Sequence, residues 1–393
     1  MYRKTYAKID GDILENNAKE IIKKYNGFTY YFGVVKNNAY HHGIKVVNNL
    51  IKGGINYLAV SSLEEAEDIR KYNTEIPILI LEPIGLEFID DAIMSKVTLT
   101  IESLEYLKNL NKIELAYPIN IHLKIDSGMN RLGIKTKKEA NEAIKIIEKN
   151  EKLILEGIYS HFATAGTSDY HYDAQLKKFL EITSDIQLKE IPIVHLDRSL
   201  TLVTHKKLEF VNGVRLGIVL YGLNGSRKEQ RGLKAKVRKL KRTLYLKKHH
   251  VSKTTLENDL QVKTAFRLYS EVIAIRKIER GEFVGYNASY KAKEEDFIAT
   301  IPIGYADGVT KKFGFVSIRK KRYKIIADSM DMIMVLVDKN VKIKDKVEIF
   351  GDTISIKEVT NNLHTNAYHL FNGISYRVPR VHKEENDEIE IKY

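Results

Sequence analysis

The sequence predicts an α/β chain in which an N-terminal (β/α)8 barrel of the TIM type is followed by a mainly-β domain. Strand-like apolar runs alternate with amphipathic helical stretches over roughly the first 220 residues, and that length and near eight-fold count favour a closed barrel over an open doubly wound sheet. No GxGxxG string follows a first strand, which lowers the dinucleotide-binding alternative. Later in the chain the pattern changes to short alternating runs punctuated by Gly or Asp, as in small antiparallel β domains.

In order along the chain, the strand candidates of the first part are 30–36, 57–60, 78–81, 98–101, 119–126, 155–159 and 194–197. Between them lie stretches such as SLEEAEDIRKYN and TKKEANEAIKIIEKN, whose apolar residues recur at helical spacing. The β-type runs of the second part are FRLYSEVIAIRKI, DFIATIPIG, YKIIADSMDMIMVLVD, DKVEIFG and VPRVHKEENDEIEIKY. The expected organisation is a barrel over 1–225, a basic insertion or linker over 226–262, and a β domain over 263–393.

The chain has 393 residues, no Cys and a formal net charge of +13. Without cysteine there are no disulfides, thiolate nucleophiles, iron–sulfur clusters or sulfur-ligated zinc sites, and no metal is expected. The opening MYRKTYAKIDGDILENN lacks the apolar core of a secretory signal, and IPILILEPIGL is too short and too interrupted by Glu82 to span a bilayer. A cytoplasmic protein without a membrane span is expected.

The charge invites a polyanion partner, but most of it sits in one place. Residues 227–248 hold eleven Lys or Arg against the single acid Glu229. The rest of the chain is close to balanced, so no basic groove over a folded surface is implied. With only Tyr245 as an aromatic, the segment lacks the interleaving of single-strand binders. A solvated surface insertion is the main reading, an accessory contact with RNA, lipid headgroups or an acidic protein the alternative, and nucleic acid is not an expected partner.

In YYFGVVKNNAYHHG, Lys36 directly follows an apolar strand, where a barrel strand meets its catalytic loop face. Desolvation by such neighbours depresses a lysine pKa and frees the amine for Schiff-base chemistry. On these residues alone a lysine reaching solvent is the commoner alternative.

The string VVKNNAYHHG closely resembles the motif by which alanine racemases, fold-type III racemases dependent on pyridoxal 5′-phosphate (PLP), hold their cofactor on a lysine. Further motifs agree in order and spacing: HLKIDSGMNRLG at 122–133, YSHFATAG at 159–166, GVRLGIVLYGL at 213–223, VGYNASY at 284–290, IPIGYADGV at 301–309, SMDMIMVLVD at 329–338 and ISYRVPRV at 374–381. The resemblance covers the chain except the basic insertion.

The resemblance implies that Lys36 bears the cofactor and is one of two catalytic bases, and that Tyr286 is the other. Racemisation needs a base on each face of the substrate Cα, because one base tends to return the proton to the side it left. A tyrosine, with an ordinary pKa of about 10, needs a cationic neighbour to act as a base at neutral pH. By resemblance Arg131 supplies it and lies close to the substrate carboxylate. Lys124 matches a lysine carbamylated in some members, the alternative being an unmodified lysine paired with a carboxylate.

His161 would lie near the cofactor ring and link it to Tyr286, or be a satisfied buried histidine; no role is assigned to His122. Arg215 matches the arginine facing the pyridine nitrogen. A guanidinium cannot accept a proton, which leaves that nitrogen unprotonated and the cofactor a weaker electron sink. The phosphate cradle would comprise Tyr40, Ser199, Tyr376 and the amides of Gly217 and Ile218. Tyr305 and Met330 would reach the cofactor of the other subunit in a head-to-tail homodimer with composite sites, and Met330 and Tyr376 would line a pocket for a small side chain.

Two departures stand out. HLDRSLTLV places Arg198 and Leu200 around Ser199 where members have small residues, and YRVPR has Arg377 where many have an acid. The function implied is interconversion of L- and D-alanine, supplying D-alanine for peptidoglycan. A related racemase acting on serine or another amino acid is the first alternative. The non-catalytic PLP-binding homeostasis proteins, which stop after the barrel, are a remote one.

Overall fold

The computed structural model describes residues 3–164, 169–223, 260–384 and 387–391, with isolated positions between 237 and 248. The expectations for the basic segment 227–248 therefore lie almost wholly outside the described residues. Two compact units form: Leu14–Ala39 with Ile44–Lys263, and Met1–Ile13 with Tyr40–Gly43 and Thr264–Tyr393.

Strand β1 (Tyr6–Asp10) opens the chain but belongs to the second unit. The first unit is a closed parallel barrel of β2 (Tyr30–Val34), β3 (Tyr57–Val60), β4 (Ile78–Ile80), β5 (Val97–Ile101), β6 (Ile119–Lys124), β7 (Leu153–Tyr159), β8 (Ile193–Arg198) and β9 (Gly213–Leu216). Closure comes from β9 pairing with β2, with Phe32 opposite Arg215. Strands such as ILI and VTLTI are buried throughout because helices cover one face while the barrel interior covers the other. Helix Leu63–Arg70 turns Leu63, Ala66 and Ile69 inward, and helix Lys137–Glu148 buries Ala140, Ala143 and Ile147. The latter starts at a capping box in which Thr136 and Glu139 satisfy each other's backbone amides. Each of the seven expected strand segments overlaps a barrel strand, although 30–36, 78–81 and 119–126 run one or two residues past the strand's end. The eighth, β9, shows in the sequence only as part of the GVRLG motif, since four residues starting at Gly213 are too few to display a period.

The second unit holds β1, β10 (Phe266–Glu271), β11 (Ala274–Ile278), β12 (Phe283–Val284), β13 (Tyr290–Lys291), β14 (Asp296–Ile301), β15 (Phe315–Ile318), β16 (Lys321–Asp328), β17 (Ile333–Val337), β18 (Lys346–Phe350), β19 (Arg380–Glu384) and β20 (Asp387–Ile391). Ten of these form one sheet in the order β11-β14-β17-β16-β15-β18-β10-β1-β19-β20, while β12 and β13 pair separately. The sequence reading starts the barrel domain at residue 1, whereas Met1–Ile13 sits with this unit. The reason is β1, which runs antiparallel to β10 and parallel to β19. Its partners lie far along the chain, so local pattern could not assign it. Ala7, Ile9, Leu268 and the rings of Phe266, Phe350 and Phe371 form the core beneath the sheet.

Among the described residues no helix is long and apolar enough to cross a membrane.

Candidate active site

In the barrel unit the charged and polar side chains gather where strands end. Lys36 is half-buried just beyond β2. From Asn37 to His41 the backbone makes a left-handed turn, with φ between 50° and 61° at five successive non-glycine residues. Such residues cost about 1–2 kcal/mol each, and strain of this kind gathers at functional sites. On the barrel side the turn is held by Ala39 N donating to Val35 O at 2.8 Å and Asn37 N donating to Glu65 Oε1 at 2.6 Å.

Arg215 on β9 is buried. Its Nη1 donates to His195 O and meets His195 Nδ1, both at 2.7 Å; Nη2 donates to Ser160 O at 2.7 Å and Leu196 O at 3.3 Å. Nη2 also lies 3.5 Å from His161 Nδ1. Among the described residues no acceptor meets Nε. Burial pulls the guanidinium down to about 10. Burial and the charge of Arg215 push His161 well below the ordinary histidine range, so its imidazole is neutral.

Ser199 begins helix Ser199–Thr204, and its Oγ accepts from Gly217 N at 2.9 Å. The adjacent Arg198 directs Nε to Phe162 O at 3.1 Å and thus binds the chain after β7.

Beyond β6 the chain doubles back, with Ile134 N donating to Lys124 O at 2.9 Å and Asp126 Oδ1 accepting from Gly128 N and Asn130 N at 3.0 Å. Gly133, at φ 130°, lets the backbone pass, since a Cβ there would lie 2.5 Å from Asp126 N. Arg131 is exposed on this loop. Lys124 is only 5% exposed, and burial, reinforced by Arg131 and Arg215, pulls its ammonium down to about 8. Among the described residues no carboxylate pairs with it.

The β unit holds both Tyr40 and Tyr376. His41 stacks on Tyr376 with ring centroids 4.7 Å apart, and Tyr40 packs against Tyr368 at 5.6 Å. Arg377 pairs with Asp331, next to Met330, at 2.7 Å. Tyr286 follows Gly285, whose φ of 77° and close approach to Ala327 exclude a side chain. Tyr286 is 75% exposed, and Tyr305, Met330 and Tyr376 are about half exposed. The structure thus gathers Lys124 with Arg131 and Arg215, Arg215 with His161, and Ser199 with Gly217, while Tyr40 and Tyr376 lie in the same unit on different aromatic partners.

Residues 9–225 match the family model described as alanine racemase, N-terminal domain, and residues 265–382 the one described as alanine racemase, C-terminal domain. The chain belongs to the alanine racemase family. It is 33% identical to alanine racemase 1 of Bacillus subtilis over 400 aligned residues, covering 100% of this chain and 96% of that protein. To the alanine racemase of Streptococcus uberis it is 33% identical, with 97% and 98% covered. Among solved structures, alanine racemase of Bacillus anthracis with bound L-Ala-P superposes with a TM-score of 0.86 at 29% identity, covering 100% of this chain and 98% of that one. The fold also extends to a histidine racemase of Leuconostoc mesenteroides, at a TM-score of 0.82 and 23% identity, with 98% and 99% covered. The chain is accordingly an isomerase of the alanine racemase type.

The motifs left His195, His122, Glu156 and Arg380 unassigned, although all four are central to the buried polar structure. The available signal was a histidine flanked by apolar residues in mid-strand, in INIHLK and again in IVHLDR.

Proposed function

We propose that the chain interconverts L- and D-alanine with pyridoxal 5′-phosphate and two bases, supplying D-alanine for peptidoglycan. The observation that carries the cofactor reading is Arg215, a buried guanidinium whose Nη atoms are engaged by protein acceptors while Nε remains for a ring nitrogen. The other residues fit the same group. Lys36 offers an amine for its aldehyde, while in the barrel unit the Ser199 hydroxyl and the Ile218 amide offer donors for its phosphate, and the Gly217 amide, which donates to Ser199 Oγ, would turn to the phosphate when the group is bound. Tyr40 and Tyr376 offer hydroxyls in the β unit.

Bound to the substrate amine, the cofactor withdraws electrons from Cα and acidifies its hydrogen. Lys36 Nζ takes or returns that proton on one face, and Tyr286 Oη does so on the other. Arg215, still protonated at neutral pH, donates through Nε but keeps its proton, which holds the chemistry to removal and return of one hydrogen. The neutral His161 adds no second cation beside it.

Arg131 receives the substrate carboxylate. Lys124 is assigned as carbamylated: at a pKa of about 8 roughly a tenth of the amine is neutral at pH 7, far more than for an ordinary lysine, and that neutral Nζ can attack carbon dioxide, forming an N–C bond and releasing one proton. The resulting anion would orient Arg131. Met330, Tyr305 and Tyr376 limit the pocket to a small side chain. The exposure of Tyr286, Tyr305 and Met330 supports a homodimer in which these residues serve the Lys36 of a second copy.

The test is racemisation of L-alanine, L-serine, L-lysine, L-arginine and L-histidine by the full chain. Alanine should be turned over fastest. Absence of Cα hydrogen exchange on alanine sinks the reading, and faster turnover of another amino acid moves it to that substrate.

A further inference from the structure

A file of hydrogen bonds crosses the barrel interior from Arg215 to Glu156. Arg215 Nη1 lies 2.7 Å from His195 Nδ1, His195 Nε2 lies 2.8 Å from His122 Nδ1, and His122 Nε2 lies 3.0 Å from Glu156 Oε2. Both histidines are fully buried. Glu156 Oε2 also accepts from Tyr57 Oη at 2.6 Å and Thr98 Oγ1 at 3.0 Å, and Oε1 accepts from Asn120 Nδ2 at 3.2 Å.

Each link can carry its proton in one way only. A guanidinium has donors and no acceptor, so His195 Nδ1 must be the bare nitrogen. A neutral His195 then holds its proton on Nε2 and donates it to His122 Nδ1. By the same rule His122 holds its proton on Nε2 and donates to the carboxylate. Burial keeps both imidazoles neutral, lowering His122 and taking His195 well below the ordinary range. Burial alone would raise Glu156, but the bonds from His122, Tyr57 and Thr98 hold it low. The reverse order of protons would set an N–H of His195 against an N–H of Arg215.

The strands are shaped to this file. Opposite β6, β7 carries an extra residue: Ile121 pairs with Leu155 and His122 with Gly157, leaving Glu156 between them. A Cβ at Gly157 would meet the His122 ring at 2.7 Å. The His195 ring is stacked between Phe32, at 4.6 Å and 13°, and Tyr159, at 4.7 Å and 14°, so it cannot rotate away.

We propose that Glu156 and His122 are positioning residues for Arg215: the carboxylate at one end of the file fixes both imidazole tautomers and so holds the guanidinium oriented at the other end. The consequence for catalysis rests on the reading of Arg215 as the donor to the pyridine nitrogen, while the tautomers themselves do not.

Two measurements on the full-length holoenzyme test it. In protein labelled with 15N-histidine, ring-nitrogen resonances at neutral pH should show a protonated Nε2 and a bare Nδ1 at both His122 and His195. An Nδ1–H form or an imidazolium at either overturns the proposal, whatever the activity. Glu156→Leu should shift His195 towards the Nδ1–H form and lower kcat about ten-fold with little change in KM, the scale on which outer partners of an oriented group act. Glu156→Gln, whose carbonyl can still accept from His122, should restore the tautomer and most of kcat. Wild-type tautomers and kcat in Glu156→Leu overturn the proposal, and if that variant does not fold, the wild-type resonances still decide. A chain with the expected tautomers that racemises nothing overturns the functional reading alone.

Discussion

Arg380 Nε donates to the carbonyl of His41 at 3.0 Å, joining the left-handed turn after Lys36 to a strand 339 residues away in the same β unit. The guanidinium is completely buried. Its other donors reach Ser375 O, Val378 O and Ile374 O at 2.6–2.7 Å, with His41 Nδ1 at 3.1 Å from Nη2. One side chain therefore fixes both the loop that carries Tyr376 and the segment that carries Tyr40.

Arg380→Met should destabilise the chain by about 3 kcal/mol or more, since each buried acceptor left bare costs about 1–3 kcal/mol. Arg380→Lys should recover only part of the loss, because an ammonium cannot reproduce the planar fork. Urea denaturation gives the first quantity, and cofactor retained after dialysis reports on Tyr40 and Tyr376. A midpoint like that of the parent, with full retention, would show that the clamp is dispensable.

If the sites are composite, two dead variants should repair each other. Lys36→Ala and Tyr286→Phe should each be nearly inactive as homodimers. In a mixed dimer one site carries both changes and the other carries neither. Unfolding and refolding an equimolar mixture should therefore recover about a quarter of wild-type activity, as random pairing in a two-fold dimer requires. No recovery, with mixed dimers shown to be present by mass, would place both bases in a single chain.

The barrel was legible because it is written locally: short apolar runs and helical spacing repeat, and a strand such as Val97–Ile101 announces itself. The place of β1 was not legible, because YAKID looks the same whether it pairs within a barrel or with Phe266 and Arg380. Lys36, Arg215 and Lys124 could be singled out because their chemistry is tied to short motifs. His122 and Glu156 could not, since their roles come from a strand bulge and a tautomer order that exist only once four strands are brought together. Arg198 stands out in the sequence only as a departure beside Ser199, and its bond to Phe162 O is an arrangement that spacing could not show.

Gly157→Ala tests whether the space beside His122 matters. Its Cβ would stand 2.7 Å from a ring that is itself bonded on both sides, so neither partner can yield cheaply. Overpacking of this kind costs about 1–3 kcal/mol. Thermal denaturation should show the loss. His122→Ala in the same background should relieve part of it, and additive effects of the two changes would mean that the residues do not meet.

Lys124 allows the sign of a pH effect to be worked out. Its folded value of about 8 lies below the ordinary lysine value of 10.5, with burial the leading cause and the repulsion of Arg131 and Arg215 behind it. Between those two values the unfolded chain binds more protons, so the contribution of this residue makes the fold more stable as pH rises through that window. Below about pH 8 the unmodified ammonium costs roughly 3 kcal/mol, at 1.36 kcal/mol per unit. In carbon-dioxide-free buffer at pH 7, Lys124→Met should therefore be more stable than the parent, and the difference should shrink by pH 10. Carbamylation reverses the charge and turns repulsion by two arginines into attraction. With bicarbonate added, the parent should gain stability and the variant should not, and the activity of the parent should rise alongside. Denaturation midpoints of both proteins in the two buffers decide the matter: a parent indifferent to bicarbonate carries a bare lysine at this position, and Arg131 is then oriented by something other than a carbamate.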